Sequence, residues 1–462
     1  MSSYQEENDT LMWNFINRSF FEAWRNPEKE HLMNFRSLEI MLNYKCNLAC
    51  KYCYVNRHGE ELYPKELYED KDKLLKNVEI ILDFLVENKM KPKIELFSGE
   101  ALVQQVGLQA LEMIIDKMGN WSEITVVIPT NMSWLLSDNL TAEIERLIAK
   151  GASLGLNVFL SGSVDGKYCE INRPFLAAVD EMTTSPMRIV DWTYKPEFVE
   201  PRGDEFYEKF FKLSKKYGYG FHPMIYSHNV EHWIKNFMWF QENLKKYEIP
   251  WSSIYLLEVR NSEWTEQQIK DFGKFIEFLI YFSWDKVGRN AENYFKFMFQ
   301  GRGFNILNSP ISTIGRGLGC SYQSCIYLRV GDMGLAPCHR SCYEPMMLGN
   351  FKVEDDKIVG VHANNFELMI GGISAEGDNF PYCEQCIIKS LCSHGCLGAQ
   401  LEATGDMFTP IPTMCQMEHE KIAAMVRAYK DIGIFSEVLD RVRPDKRYAL
   451  ELVEKIIGGE NR

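Results

Sequence analysis

Twelve of the thirteen cysteines in this 462-residue chain fall into two groups, and that division limits the possible folds more than any other feature. Cys46, Cys50 and Cys53 stand together near the start. Cys320, Cys325, Cys338, Cys342, Cys383, Cys386, Cys392, Cys396 and Cys415 occupy the last third, and Cys169 is alone between the groups. Residues Met1 to Thr10 are polar and acidic, with neither the basic start nor the apolar run of a secretion signal. No stretch approaches the roughly 18 consecutive apolar residues needed to span a bilayer. A cytoplasmic, reducing environment is therefore expected, where clustered cysteines hold metal more often than they form disulfides.

A net charge of −13, spread along the chain, argues against sequence-independent nucleic-acid binding, which needs a basic face. With 46% hydrophobic and 13% aromatic residues and no low-complexity tract, a disordered chain is excluded. At this length two or three domains are expected.

Residues 11–25 read as a helical lead-in, with Trp13, Ile16, Phe20 and Trp24 on one stripe and Pro27 ending it. From Leu38 onward, short apolar strands alternate with helices of about a dozen residues, the signature of parallel βα units. Strands are expected at 38–42, 93–97, 124–128, 154–160, 220–226 and 254–259. Six units are too few to close an eight-stranded barrel, so the expected fold is α/β, a partial (β/α)6 TIM-like barrel. Thr265-Glu266-Gln267-Gln268 is a capping box opening an amphipathic helix. Beyond about residue 310 the periodicity gives way to short strands, glycines and cysteines, as in a small domain held by metal. The expected divisions are a lead-in (1–36), the partial barrel (37–262), a helical bridge (263–312), a cysteine-rich domain (313–418) and a helical C-terminal segment (419–462).

Cys46 to Cys53 has the spacing C-x3-C-x2-C and follows the first expected strand. Three thiolates in this arrangement can hold a cubane cluster while leaving one iron without a protein ligand. A structural zinc site asks for four ligands, and the nearest histidine, His58, is a poor fourth. The spacing, with Tyr52 before the last cysteine, resembles the signature of the radical S-adenosylmethionine (SAM) superfamily. The resemblance implies that the open iron chelates SAM and that reductive cleavage yields a 5′-deoxyadenosyl radical. Three further motifs stand at the C-terminal ends of successive strands, where barrel sites are built. Ser98-Gly99-Glu100 resembles the family's Gly-Gly-Glu, which contacts the amino group of SAM, with Ser98 replacing the first glycine. Thr130-Asn131-Met132 resembles Thr-Asn-Gly, and Ser163-Val164-Asp165-Gly166 resembles Ser-Leu-Asp-Gly, whose Ser and Asp lie near the ribose. Each alone would read as an ordinary turn.

Cys383-x2-Cys386-x5-Cys392-x3-Cys396, followed by Cys415 and preceded by Cys320, Cys325 and Cys338, resembles the SPASM extension of peptide-modifying radical SAM enzymes. That resemblance implies two auxiliary [4Fe-4S] clusters, hence three clusters in all. One would use Cys320, Cys325, Cys338 and Cys396, the other Cys383, Cys386, Cys392 and Cys415. A pair of zinc knuckles is the alternative, with His394 the one histidine inside the pattern. Cys342 reads as a spare ligand or a buried thiol, and Cys169 as structural.

In the sulfatase-modifying branch an Asp follows the cysteine matching Cys338; here His339 stands there, a residue able to accept a proton. Arg260, at the end of the last barrel strand, is a candidate for binding a carboxylate of SAM or substrate, with an ion pair to Glu258 as the alternative. The implied activity is maturation of a ribosomally made precursor peptide by a crosslink, thioether favoured over carbon–carbon, carbon–oxygen or formylglycine chemistry. An electron donor such as flavodoxin or ferredoxin is implied, with leader recognition by a separate partner or by the barrel surface. A non-catalytic iron–sulfur electron carrier or metal sensor is the alternative of another class, and it would have no use for the strand-end motifs.

Overall fold

The structure, a computed structural model, describes residues 2–25, 37–97, 99–120, 124–175, 202–287, 325–365, 380–392 and 395–459. Cys320, Ser98 and His394 lie outside the described residues. The chain forms two compact units, the first built from residues 1–164, 170–221 and 321–372, the second from 165–169, 222–320 and 373–462.

The first unit holds an eight-stranded sheet. Strands β1 (Ser37–Met41), β2 (Lys93–Phe97), β3 (Thr125–Thr130) and β4 (Asn157–Gly162) run parallel in sequence order. In β2, β3 and β4 the even-numbered side chains are buried and the odd-numbered ones partly open, a strict period of two. One face is therefore core and the other is left free for chemistry. Helices α1 (Lys71–Glu87), α2 (Gln105–Met118) and α3 (Asp138–Ser153) connect the strands and bury apolar stripes such as Ile81 and Leu85, Leu111 and Ile115, and Ile144 and Ile148. Asp70 and Ser137 cap the first and third of them, accepting from Lys73 N at 3.0 Å and Leu140 N at 3.4 Å.

The other side of β1 is taken by a strand from far along the sequence. β7 (Cys325–Arg329) pairs with it in parallel, Ser37 opposite Cys325 and Met41 opposite Arg329. β8 (Gly334–Ala336), β9 (Gly349–Glu354) and β10 (Lys357–Ala363) extend the sheet antiparallel. Residue 313, where the sequence suggests a division, thus precedes a strand that shares the sheet of β1. An uncovered β1 would carry unpaired backbone groups beside the buried Leu38 and Ile40, and β7 satisfies them while adding Ile326 and Leu328 to the core.

The last two barrel strands are shorter than their apolar runs suggest. β5 (Met224–Ile225) and β6 (Leu257–Glu258) form a parallel pair in the second unit. That unit is dominated by α4 (Glu266–Val287) packed on α5 (Pro412–Asp431). The capping box forms as expected: Thr265 N donates to Gln268 Oε1 at 2.8 Å, and Gln268 N to Thr265 Oγ1 at 3.3 Å. The helices approach so closely that a Cβ on Gly273 would lie 2.1 Å from Glu420 Oε1. Arg427 ties the pair, meeting Glu277 at 2.5 Å and Glu420 at 2.6 Å. No helix among the described residues is long and apolar enough to cross a membrane.

Candidate active site

The loop carrying Cys46, Cys50 and Cys53 leaves the C-terminal end of β1 and is stitched down on two sides. Gly99 N donates to Asn43 O at 3.0 Å and Glu100 N to Lys45 O at 2.9 Å; opposite, Ala49 N meets Pro174 O at 2.8 Å and Lys51 N meets Asn172 O at 2.9 Å. Gly99 is required by this crossing, because a Cβ there would sit 2.3 Å from Tyr44 O and 2.4 Å from Lys45 O.

Each thiol of this loop faces a feature that favours negative sulfur. Leu48 N–H lies 3.4 Å and Asn131 Nδ2 3.6 Å from Cys46 Sγ. The Arg173 guanidinium lies 3.9 Å from Cys50 Sγ and also covers the Tyr52 ring, 5.4 Å from its centroid. Cys53 occupies the N-cap of the helix Tyr54–Leu62, at the positive end of its dipole. Without metal, burial and then the neighbouring Cys50 push the Cys46 thiol up.

Glu100, Thr130 and Asn131 converge behind the loop. The Glu100 carboxylate accepts from Thr130 Oγ1 at 2.8 Å, Asn131 N at 2.5 Å and Leu102 N at 3.2 Å. Burial pushes its pKa up to about 7 against these bonds. Thr130 Oγ1 also accepts from Trp134 Nε1 at 3.2 Å, and Asn131 Nδ2 reaches Asn47 Oδ1 at 2.9 Å. Met132 takes φ +62°, in the left-handed region that favours glycine. Arg202, which carries no motif, joins the ends of β3 and β4: its guanidinium donates to Asn131 O and, at 3.3 Å, to Ser163 O, and pairs with the buried Glu170. Ser163 N donates to Thr130 O at 2.7 Å. Asp165 belongs to the second unit, wholly buried, with its carboxylate accepting from Met224 N at 3.0 Å.

On the open face of the sheet, His339 lies flat against Phe97, their ring centroids 4.7 Å apart and the planes 12° from parallel. Its Nδ1 is 3.2 Å from Glu39 Oε2, a carboxylate only 3% exposed. Cys325 and Cys338 belong to the same neighbourhood: burial, then Glu39 and Cys338, push the Cys325 thiol up. Glu39 is the residue sequence reading missed. It sits inside an apolar strand, and the signal available was a lone charge at a position whose neighbours Leu38 and Ile40 are core.

In the second unit Cys383, Cys386 and Cys415 are mutual neighbours, and burial, then the two other thiols, push Cys415 up to about 11. Cys415 lies in the first turn of α5, and Cys396 is the N-cap of the helix Leu397–Thr404, so both meet helix N-termini. His419 Nε2 lies 3.5 Å from Cys386 Sγ. Lys421, 3% exposed, pairs with Glu418 at 2.7 Å and lies close enough to Cys392 to feel its charge. Neither His419 nor Lys421 stands out in the sequence, because both sit one helical turn or more beyond the last cysteine. Arg260 approaches Glu258 at 3.8 Å. Cys342 is buried with no exposure, as is Cys169.

No disulfide joins the described cysteines. Among the described residues no group of three or more His, Cys, Asp or Glu side chains is placed to hold a single metal ion. A cubane takes each thiolate on a different iron. The donors beside Cys46 and Cys50 and the helix N-termini at Cys53, Cys396 and Cys415 suit such an anionic cluster.

No protein-family model and no curated protein matches the sequence. Among solved structures the chain is similar to hexahistidine-tagged anSMEcpe with bound AdoMet, at 18% identity over 90% of this chain and 98% of that one, TM-score 0.54. Native anSMEcpe with bound AdoMet and Cp18Cys peptide aligns at 16% identity over 87% and 99%, TM-score 0.50. Streptococcus suis SuiB bound to precursor peptide SuiA aligns at 12% identity over 82% and 76%, TM-score 0.46. The chain has the radical SAM fold.

Proposed function

We propose that this chain is a radical SAM enzyme that modifies a ribosomally made peptide. The observation that carries the reading is the double contact of Asn131, whose side-chain Nδ2 reaches Cys46 Sγ and whose backbone N–H donates to the buried Glu100 carboxylate. An electron carrier needs only ligands, whereas this network fixes a cysteine loop against two strand-end motifs. Cys46, Cys50 and Cys53 would hold a [4Fe-4S] cluster, which when bound would supply the electron for reductive cleavage of SAM to a 5′-deoxyadenosyl radical.

The chain's own residues do the rest. Leu48 N–H, Asn131 and Arg173 offset the charge of the thiolates. Gly99, Glu100, Thr130, Asn131, Ser163 and Asp165 are assigned to SAM and its surroundings, and Tyr52 to the cluster loop. Phe97 and Glu39 hold His339, which is assigned the proton released as the substrate is oxidised. Arg260 is assigned a carboxylate. The cysteines of the last third are assigned to two auxiliary clusters. A peptide substrate is supported by the peptide in one anSMEcpe structure of this fold. A thioether is the bond assigned, on its frequency among resembling enzymes. Formylglycine chemistry is disfavoured by His339 at the position of the branch's Asp. A flavodoxin or ferredoxin is the assigned donor, with a separate leader-binding protein as the third component.

The test is anaerobic reconstitution, iron and sulfide analysis, and incubation of reduced protein with SAM. Parent protein should hold about twelve irons, the Cys46/Cys50/Cys53→Ala variant about eight, as three cubanes require. Only the parent should form 5′-deoxyadenosine and methionine. A fully loaded parent that leaves SAM intact would mean the carrier reading is correct.

A further inference from the structure

Parallel pairing between β3 and β4 runs as far as Thr130 opposite Gly162 and stops there. One residue further the same register sets Asn131 opposite Ser163, and both belong to the strand-end motifs. Ser163 N still donates to Thr130 O at 2.7 Å. The carbonyl oxygens of Asn131 and Ser163 are both acceptors, so they cannot bond to each other. A side chain joins them instead: Arg202 Nη1 donates to Asn131 O and, at 3.3 Å, to Ser163 O.

This clip is itself firmly held. Arg202 directly precedes Gly203, the N-cap of the helix Asp204–Tyr217, whose first turns bury Phe206, Tyr207, Phe210 and Phe211. The guanidinium is centred 5.0 Å from the Phe206 ring, and the residue is 3% exposed. Its Nε donates to Glu170 Oε1 at 2.5 Å, while the Tyr207 hydroxyl donates to Glu170 Oε2. Glu170 is buried as well. The carboxylate thus grips the fork on one side and leaves Nη1 to the two carbonyls on the other. All of these residues belong to the first unit. Apolar side chains of similar volume would fill the same space without desolvating two charges. What they could not do is hold two carbonyl oxygens together one step beyond the end of the ladder.

We infer that Arg202 is a positioning residue for SAM: it fixes the spacing of Asn131 and Ser163, and with it the affinity of the site for the cofactor. The inference rests on the SAM reading above. Arg202 acts through the two backbone carbonyls and is assigned no contact with SAM. Lysine at this position would keep a charge opposite Glu170, but it has no planar fork to serve a carboxylate and two carbonyls at once.

The experiment uses full-length protein, anaerobically loaded and kept oxidised so that SAM is bound but not cleaved. Equilibrium dialysis with radiolabelled SAM gives the Kd, and iron analysis gives the loading. Arg202→Lys should hold the parent's iron and bind SAM about tenfold more weakly or worse, the usual cost of removing a group that orients ligands. Arg202→Met/Glu170→Met/Tyr207→Phe replaces the whole buried group by apolar side chains, an exchange that commonly keeps stability. It should bind SAM at least as weakly as the lysine variant, and it decides the matter if that variant does not fold. A purely structural role predicts that affinity returns with stability, so parental SAM binding in either loaded variant would overturn the inference. Loss of the first cluster from both folded variants would overturn it too, by placing the effect on the cysteine loop. A fully loaded parent that does not bind SAM would overturn the SAM reading itself, and that failure appears before any substitution is made.

Discussion

Replacing Glu100 with glutamine should have an effect on stability that changes with pH in a particular direction. In the folded chain burial pushes Glu100 up to about 7, from an ordinary value of 4.5. A carboxyl raised in this way contributes stability that is complete below about pH 4.5 and lost as pH rises through 7. The difference between the two values, at 1.36 kcal/mol per unit, corresponds to about 3 kcal/mol. Glutamine has no such titration. At low pH the substitution should cost about 1–3 kcal/mol, because its amide nitrogen cannot accept from one of the donors Leu102 N, Thr130 Oγ1 and Asn131 N. Toward pH 8 that cost should shrink or reverse. The assay is urea unfolding of anaerobic, cluster-loaded parent and variant at a series of pH values, followed by tryptophan fluorescence. Trp134, buried and bonded to Thr130, reports on the site itself. A penalty that grows with pH would refute the reasoning, since it would mean that the backbone donors outweigh burial and hold the carboxylate ionised.

Gly99→Ala should displace the cysteine loop, because its Cβ would meet two carbonyl oxygens; about 1–3 kcal/mol of overpacking strain and loss of 5′-deoxyadenosine formation are expected from unfolding and product assays. Asn131→Ala removes a donor from Cys46 Sγ, and an EPR-monitored redox titration should show the first cluster at a more negative potential while the auxiliary clusters stay put. Lys421→Met leaves buried carboxylates without their cation, so thermal unfolding should register a loss of about 3–5 kcal/mol, with iron lost first from the set containing Cys392.

The cysteine spacing and the alternation of strands with helices were legible in the sequence because both are local. Thiols three or four residues apart must share a loop, and a period of two or 3.6 is set by backbone geometry. The strands at 93–97 and 157–162, the capping box at Thr265 and Gln268, and the turns after Glu100 and Thr130 all follow from such short-range rules. Sequence alone also marked His339 as a departure, since its neighbour Cys338 fixed its place in the pattern.

What needed the tertiary structure was every pairing across long separations. That β7 lies beside β1, nearly three hundred residues away, depends on which edge of the sheet is left to be covered, and no local period encodes it. The same pairing brings Glu39 to His339, so a charge hidden in an apolar strand gains a neighbour that gives it chemistry. Arg202 and Lys421 are similar cases: common residue types made significant by burial against strand ends or cysteines. Sequence determined which ligands and which periods are present; the packing of distant elements decided which side chains surround them, because burial and electrostatic contact are properties of the folded chain.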